Sequence, residues 1–155
     1  MERKTKIDAE DGRQDLLITR EFDLPLELLF KAYVEPQIVE QWMGTKVLKL
    51  ENKPHGGYQF ETSDAEGNVV FQATGVIHEF VPDLKIIRTF EMENTPFPVQ
   101  LEFLDFEKLT DDTSKLSMQI IYRSVEDRDK MLKMPFAQGI NMAHNRLQEI
   151  VSELK

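Results

Sequence analysis

Arg88 is the residue whose chemistry stands out first. It sits in LKIIRTFEME, where Ile86, Phe90 and Met92 share its alternation while Lys85, Thr89, Glu91 and Glu93 take the opposite side. A guanidinium on an apolar strand face costs several kcal/mol if it is left unpaired. Three outcomes satisfy it: a bidentate bond to an anionic ligand, a pair with a protein carboxylate, or exposure at the strand end. His78 alternates with Glu79 nearby and is a candidate general base, though a solvated or core histidine looks the same in sequence. With Arg88 and Tyr122 it would make an acid, base and oxyanion set. His55, His78 and His144 lack the spacing of a metal-ligand turn, so no metal site is expected. His144 reads as a partly exposed neighbour of the sheet edge. SDAEGN lacks the ligand spacing of a calcium loop, and no nucleophile elbow, phosphate loop or dinucleotide fingerprint occurs. No catalytic residue is assigned and no cofactor is expected.

The elements that position these residues must come from one domain of 155 residues, long enough to bury ~70% of its unfolded surface. Ten Phe, three Tyr and one Trp supply the bulk of a core. Nineteen basic against 28 acidic residues give a net charge of −9, a field that repels a phosphate backbone and argues against nucleic acid. No apolar run approaches the ~20 residues of a membrane span. MERKTKIDAEDGRQD has no apolar signal-peptide core, and the cysteine-free composition fits a reducing cytoplasm. Residues 1–14 read as a charged extension or the lead-in to the first strand, and 15–155 as the domain.

DLLITREFDLP sets Leu16, Ile18, Arg20 and Phe22 against Leu17, Thr19 and Glu21, a first strand ending near Pro25. PLELLFKAYVEP has helical spacing, and Pro36 closes it and opens PQIVEQWMG, a second short helix capped by Gly44. Six runs rich in β-branched and aromatic residues follow, separated by PHGG, DAEGN, PD, NTPFP and TDDTS. Such short connections imply consecutive antiparallel pairing, and seven strands in all. Ser124 and Asp127 have capping-box spacing, and Pro135 interrupts the ensuing helix or begins the last one. GINMAHNRLQEIVSELK then places Gly139, Met142, Ala143, Arg146, Leu147, Ile150, Val151 and Leu154 on one helical face. The expected class is α+β: a curved seven-stranded antiparallel sheet, two short helices and a long C-terminal helix over one sheet face.

ITREFDLPLELLFKAYVEPQIVEQWMG resembles the opening of proteins related to the activator of the heat-shock protein 90 ATPase, members of the START-like (SRPBCC) superfamily with the helix-grip fold. Arg20-Glu21-Phe22, Pro25, Glu27, Pro36, Trp42 and Gly44 carry the match. HGGYQFETSDAEGN is similar to the family's paired-glycine strand start at Gly56 and Gly57, and GVIHEF to its Gly-x-x-x-Glu segment, here Gly75 to Glu79. Arg128, Asp129, Gly139, Arg146 and Leu147 match its terminal helices. The likeness runs over roughly residues 15 to 154. Two features depart from it. Met134-Pro135-Phe136 replaces the small-residue and methionine pattern of many relatives, and these 155 residues contain nothing like the Asn/Trp/His-rich motif of the eukaryotic activator's chaperone-binding domain.

The resemblance implies a cavity between the concave sheet and the terminal helix. Alternation then nominates its lining: Tyr58 and Phe60; Phe71 and Ile77; Arg88 and Phe90; Phe103; Met118 and Tyr122. Leu104 and Phe106, following Leu101 and Phe103, suggest a bulge or an edge that also packs. Met134, Phe136, Gln138 and Met142 are the helix-side candidates, with Trp42 at the end and Gly139 allowing close helix approach. The expected function is binding of a hydrophobic or amphipathic small molecule. A cyclase- or aromatase-like enzyme and a chaperone-ATPase regulator are the alternatives that the resemblance brings.

Overall fold

A computed structural model describes residues 3–155. The strands are β1 (Lys6–Asp8), β2 (Asp15–Phe22), β3 (Lys46–Leu50), β4 (Gly57–Ser63), β5 (Val69–Val81), β6 (Lys85–Met92), β7 (Gln100–Lys108) and β8 (Ser114–Ile121). The helices are α1 (Leu26–Val34), α2 (Pro36–Met43), α3 (Val125–Lys133) and α4 (Phe136–Ser152). All strands join one antiparallel sheet in the order β1-β2-β8-β7-β6-β5-β4-β3. The sheet has eight strands rather than the expected seven, because the charged extension supplies β1. Its Ile7 sits opposite Ile18 of β2, between Lys6 and Asp8. Charged residues suit a sheet edge, where they discourage further pairing, and they hide a three-residue strand from hydropathy. Of the expected extension, residues 1–2 lie outside the described residues.

Local chemistry sets the remaining boundaries. Pro36 occupies the first turn of α2, and Gly44 ends it with φ 65° and a backbone N–H that donates to the Glu40 carbonyl. The Trp42 indole N–H donates to the Ala32 carbonyl at 2.6 Å, locking the two short helices together. The Ser124 hydroxyl accepts from the Asp127 amide at 3.1 Å, which starts α3. Pro135 directly precedes α4.

Bulges bend the sheet: register shifts occur between Val47 and Lys49, Thr62 and Ser63, and Ile77 and Glu79. At β7, where the sequence suggests a bulge or an edge that also packs, no bulge occurs, and the pairing with β6 and β8 is continuous. The inward face of β7 is Gln100, Glu102, Leu104 and Phe106, so Leu101 and Phe103 point outward. The core centres on Leu16, Ile18, Phe22, Leu29, Leu104 and Leu116, with Phe30 edge-on to Phe106 at 4.9 Å between centroids.

The buried stripe of α4 is His144, Leu147 and Val151, flanked by the partly buried Ile140, Ala143 and Ile150. Met142 and Leu154 lie outside it, each about half exposed. Gly139 also faces open space: a Cβ built on it meets nothing within 4 Å. The close-approach glycine is Gly75, where a Cβ would lie 2.1 Å from the Thr89 carbonyl oxygen and 2.5 Å from the Tyr58 ring.

Candidate functional site

Between α4 and the sheet is a cavity of about 290 Å³. The short helices contribute Tyr33, Trp42 and Met43, and β6 contributes Arg88, Phe90 and Met92. Gln100 and Glu102 of β7 face Met118 and Ile120 of β8, with Tyr122 just beyond. Met131 of α3 and Phe136, Ile140, Ala143 and His144 of α4 form the roof. Two other hollows, one around Lys4, Lys6 and Lys115 and one around Glu40, Lys46 and Glu61, lie among charged side chains away from this core.

One polar cluster interrupts the apolar wall. Arg88 and Glu102 are directly opposed across β6 and β7, and Arg88 Nε donates to Glu102 Oε1 at 3.0 Å. Gln100 Nε2 donates to Glu102 Oε2 at 2.8 Å. The Arg88 guanidinium carbon stands 5.1 Å from the Tyr58 ring centroid, and the Tyr58 hydroxyl donates to the Thr89 carbonyl. The two charged side chains are only 9% and 6% exposed. Burial opposes the Arg88 charge, but Tyr58 and Glu102 more than offset it, so its pKa moves up and it stays a cation. The cavity wall therefore holds a net-neutral ion pair.

Other titratable groups here are neutral at physiological pH. Burial pushes the phenols of Tyr33, Tyr58 and Tyr122 upward. The Tyr122 hydroxyl is buried without a hydrogen-bond partner among the described residues. His144 is pushed down to about 4, first by burial and then by the Arg20 charge. Its Nδ1 lies 2.7 Å from the Thr5 hydroxyl, and its ring is edge-on to Phe22. Instead of a partly exposed residue at the sheet edge, His144 is a buried link between α4 and the N-terminal segment.

The family model described as Activator of Hsp90 ATPase homolog 1-like protein matches residues 23–152. The chain belongs to this family. A crystal structure of a Rhodobacter sphaeroides protein is similar to it, with TM-score 0.86 and 19% identity over 97% of this chain and 99% of that one. A solution structure from Arthrobacter aurescens has TM-score 0.83 and 15% identity, covering 96% of this chain and 91% of that one. A Nitrosomonas europaea protein has TM-score 0.77 and 19% identity, covering 96% and 100%. These likenesses show the shared helix-grip fold. Among curated proteins none matches the chain.

In this activator-like domain the expected lining divides by position. Trp42, Arg88, Phe90, Met118, Tyr122 and Phe136 lie on the cavity wall. Tyr58, Phe60 and Ile77 are buried but belong to the solid core, with Tyr58 backing Arg88. Phe71 is half-buried near the β4–β5 hairpin, opposite Thr62. Phe103 is on the outer face of β7, displaced because Glu102 takes the inward register to meet Arg88. Met134 is exposed in the turn between α3 and α4, and Gln138 and Met142 are exposed because the inward stripe of α4 runs through Ile140, Ala143 and His144. Gln100, Glu102, Tyr33, Met131 and His144 line the wall without having been expected there. For Glu102 a signal existed: an inward arginine needs an inward carboxylate on a neighbouring strand. His78 does not join Arg88 and Tyr122. It is exposed at the β5 bulge with its ring 6.3 Å from that of His55. Among the described residues no group of three or more His, Cys, Asp or Glu has a metal-holding arrangement, and no helix is long and apolar enough to cross a membrane.

Proposed function

We propose that this domain binds a small apolar or amphipathic molecule in the cavity under α4. The observation that carries the reading is incomplete filling. α4 closes over aromatic and methionine side chains, yet about 290 Å³ is left beside a few polar groups, near the lower end of small-molecule sites. Thioethers adapt their shape, and Met43, Met92, Met118 and Met131 all border the space. A cytoplasmic setting belongs to the same reading and rests on composition alone.

Trp42 is the sole tryptophan of the sequence and borders the cavity, so its emission reports occupancy. Titration with N-phenyl-1-naphthylamine, an uncharged probe, is expected to give saturable quenching. Ala143→Trp, which fills the space from α4, is expected to abolish probe binding, read from the probe's own emission, while the domain still melts cooperatively. Absence of saturable binding to the wild-type domain would refute the reading.

The family description supports a second reading, regulation of the Hsp90 ATPase by surface contact. Its test is the ATPase rate of the chaperone with and without the domain. A rate change that persists in Ala143→Trp would assign the effect to the surface and not to the cavity. The enzymatic alternative has less support, because His78 stands apart from Arg88 and Tyr122.

A further inference from the structure

Donors and acceptors on the cavity wall are unequally satisfied. Both Glu102 oxygens are used, Oε1 by Arg88 and Oε2 by Gln100. Arg88 spends only Nε on this pair, which leaves its terminal N–H groups without an acceptor among the described residues. The Tyr122 hydroxyl is likewise unpartnered. Of this unused capacity on the wall, the Arg88 terminal groups are donors alone and carry the positive charge, the Tyr122 hydroxyl donates or accepts, and Gln100 Oε1 is a neutral acceptor.

The charges are balanced by contrast. Arg88 and Glu102 are the only lining residues with a formal charge at neutral pH, and they face each other at 3.0 Å. A carboxylate entering here gives up its hydration in exchange for a guanidinium already compensated, and it meets the Glu102 charge. A neutral oxygen meets the same donors with a far smaller desolvation cost.

We infer that the cavity selects an uncharged molecule bearing a ketone-type acceptor oxygen, held by the unused donors of Arg88 or Tyr122, and rejects the matching carboxylate. This rests on the cavity being the binding site. Of the three outcomes that the sequence leaves open for Arg88, the structure has the pair with a protein carboxylate, Glu102.

Three ligands of nearly the same shape test it by calorimetry: 2-acetylnaphthalene, 2-ethylnaphthalene and 2-naphthoate. The ketone is expected to bind about tenfold more tightly than the hydrocarbon, the value of one good hydrogen bond, and about tenfold or more over the carboxylate. Glu102→Gln keeps the side-chain shape and an oxygen for Arg88 Nε but leaves the guanidinium uncompensated, so 2-naphthoate is expected to overtake the ketone. Tyr122→Phe is expected to narrow the gap between ketone and hydrocarbon without weakening the hydrocarbon.

A wild-type preference for naphthoate, or an unchanged order in folded Glu102→Gln, would overturn selection by charge compensation. Equal affinity for ketone and hydrocarbon would overturn the acceptor preference. If none of the three binds and the uncharged amine probe also fails, the cavity reading itself falls. If the amine alone binds, only this inference does. Should Glu102→Gln not fold, the wild-type order and Tyr122→Phe still decide.

Discussion

Replacing Arg88 with methionine is expected to destabilise the domain far more than removing the whole ion pair. The single change leaves the Glu102 carboxylate, 6% exposed, with only the Gln100 amide as a hydrogen-bond partner. An uncompensated buried charge of this kind costs about 3–5 kcal/mol. With an unfolding entropy of about 2.1 cal/mol/K per residue, a domain of this size changes by roughly 0.33 kcal/mol per degree, so Tm should fall by about 9–15 °C. The double variant Arg88→Met/Glu102→Leu removes both charges and substitutes apolar volume. Only Gln100 then lacks its partner, a residual cost of about 1–3 kcal/mol. Thermal melts followed by circular dichroism, with urea midpoints as a check, would measure both. The double variant must melt above the single one. The reasoning fails if Arg88→Met melts within about 3 °C of wild type. It also fails if the second substitution makes matters worse, because the pair would then not be a desolvated, mutually dependent unit.

His144 supplies a pH dependence. Its folded pKa of about 4 lies below the ordinary value of about 6.5. The unfolded chain therefore takes up a proton that the folded domain refuses. Its contribution to stability is full above about pH 6.5 and is lost as pH falls toward about 4. Denaturant titrations at about pH 7.5 and pH 5 should show a loss smaller by about 2 kcal/mol in His144→Gln than in wild type. An equal loss in both proteins would exclude His144 as its source. Two glycines should respond in opposite directions. Gly75→Ala drives a Cβ into the Thr89 carbonyl and the Tyr58 ring, and melts should show a marked loss of stability. Gly139→Ala, on the exposed side of α4, should raise stability by about 0.5–1 kcal/mol in urea denaturation. Ser124→Ala removes the hydroxyl that accepts from Asp127 and should cost about 1 kcal/mol by the same assay.

The sequence made much of the architecture legible because its local signals agreed. Pro36, Gly44 and the Ser124 cap each mark a boundary through backbone chemistry that tertiary contacts do not override. The alternation that separates Leu16, Ile18, Arg20 and Phe22 from Leu17, Thr19 and Glu21 is the one β2 shows, with the first set buried. Reading failed where one apolar residue had to stand for a strand, as with Ile7, or where polar residues occupied the inside. On β7 both faces carry bulky apolar groups, and hydrophobicity alone selected Leu101 and Phe103. What decides the register is electrostatic: Glu102 must meet Arg88, a relation between residues on different strands. Of the helix-side candidates, Phe136 lines the cavity, whereas Gln138 and Met142 fall outside it for a geometric reason. Periodicity on α4 gives an angular spacing, but rotation about its axis is fixed by contacts such as the bond from Arg146 Nη1 to the Trp42 carbonyl at 3.0 Å.

The strand order also bears on how the domain is made. β2 pairs with β8, and the Gln14 side chain donates to the Tyr122 carbonyl across a separation of 108 positions. During synthesis β2 leaves the ribosome early, yet the strand that satisfies its inner edge is among the last to appear. Long-range closure of this kind slows folding, and meanwhile an open edge and its apolar side chains are available to other nascent chains. β1 shields only the other edge of β2, with three residues. The interval between synthesis of β2 and that of β8 is therefore when this domain has most need of a holding chaperone.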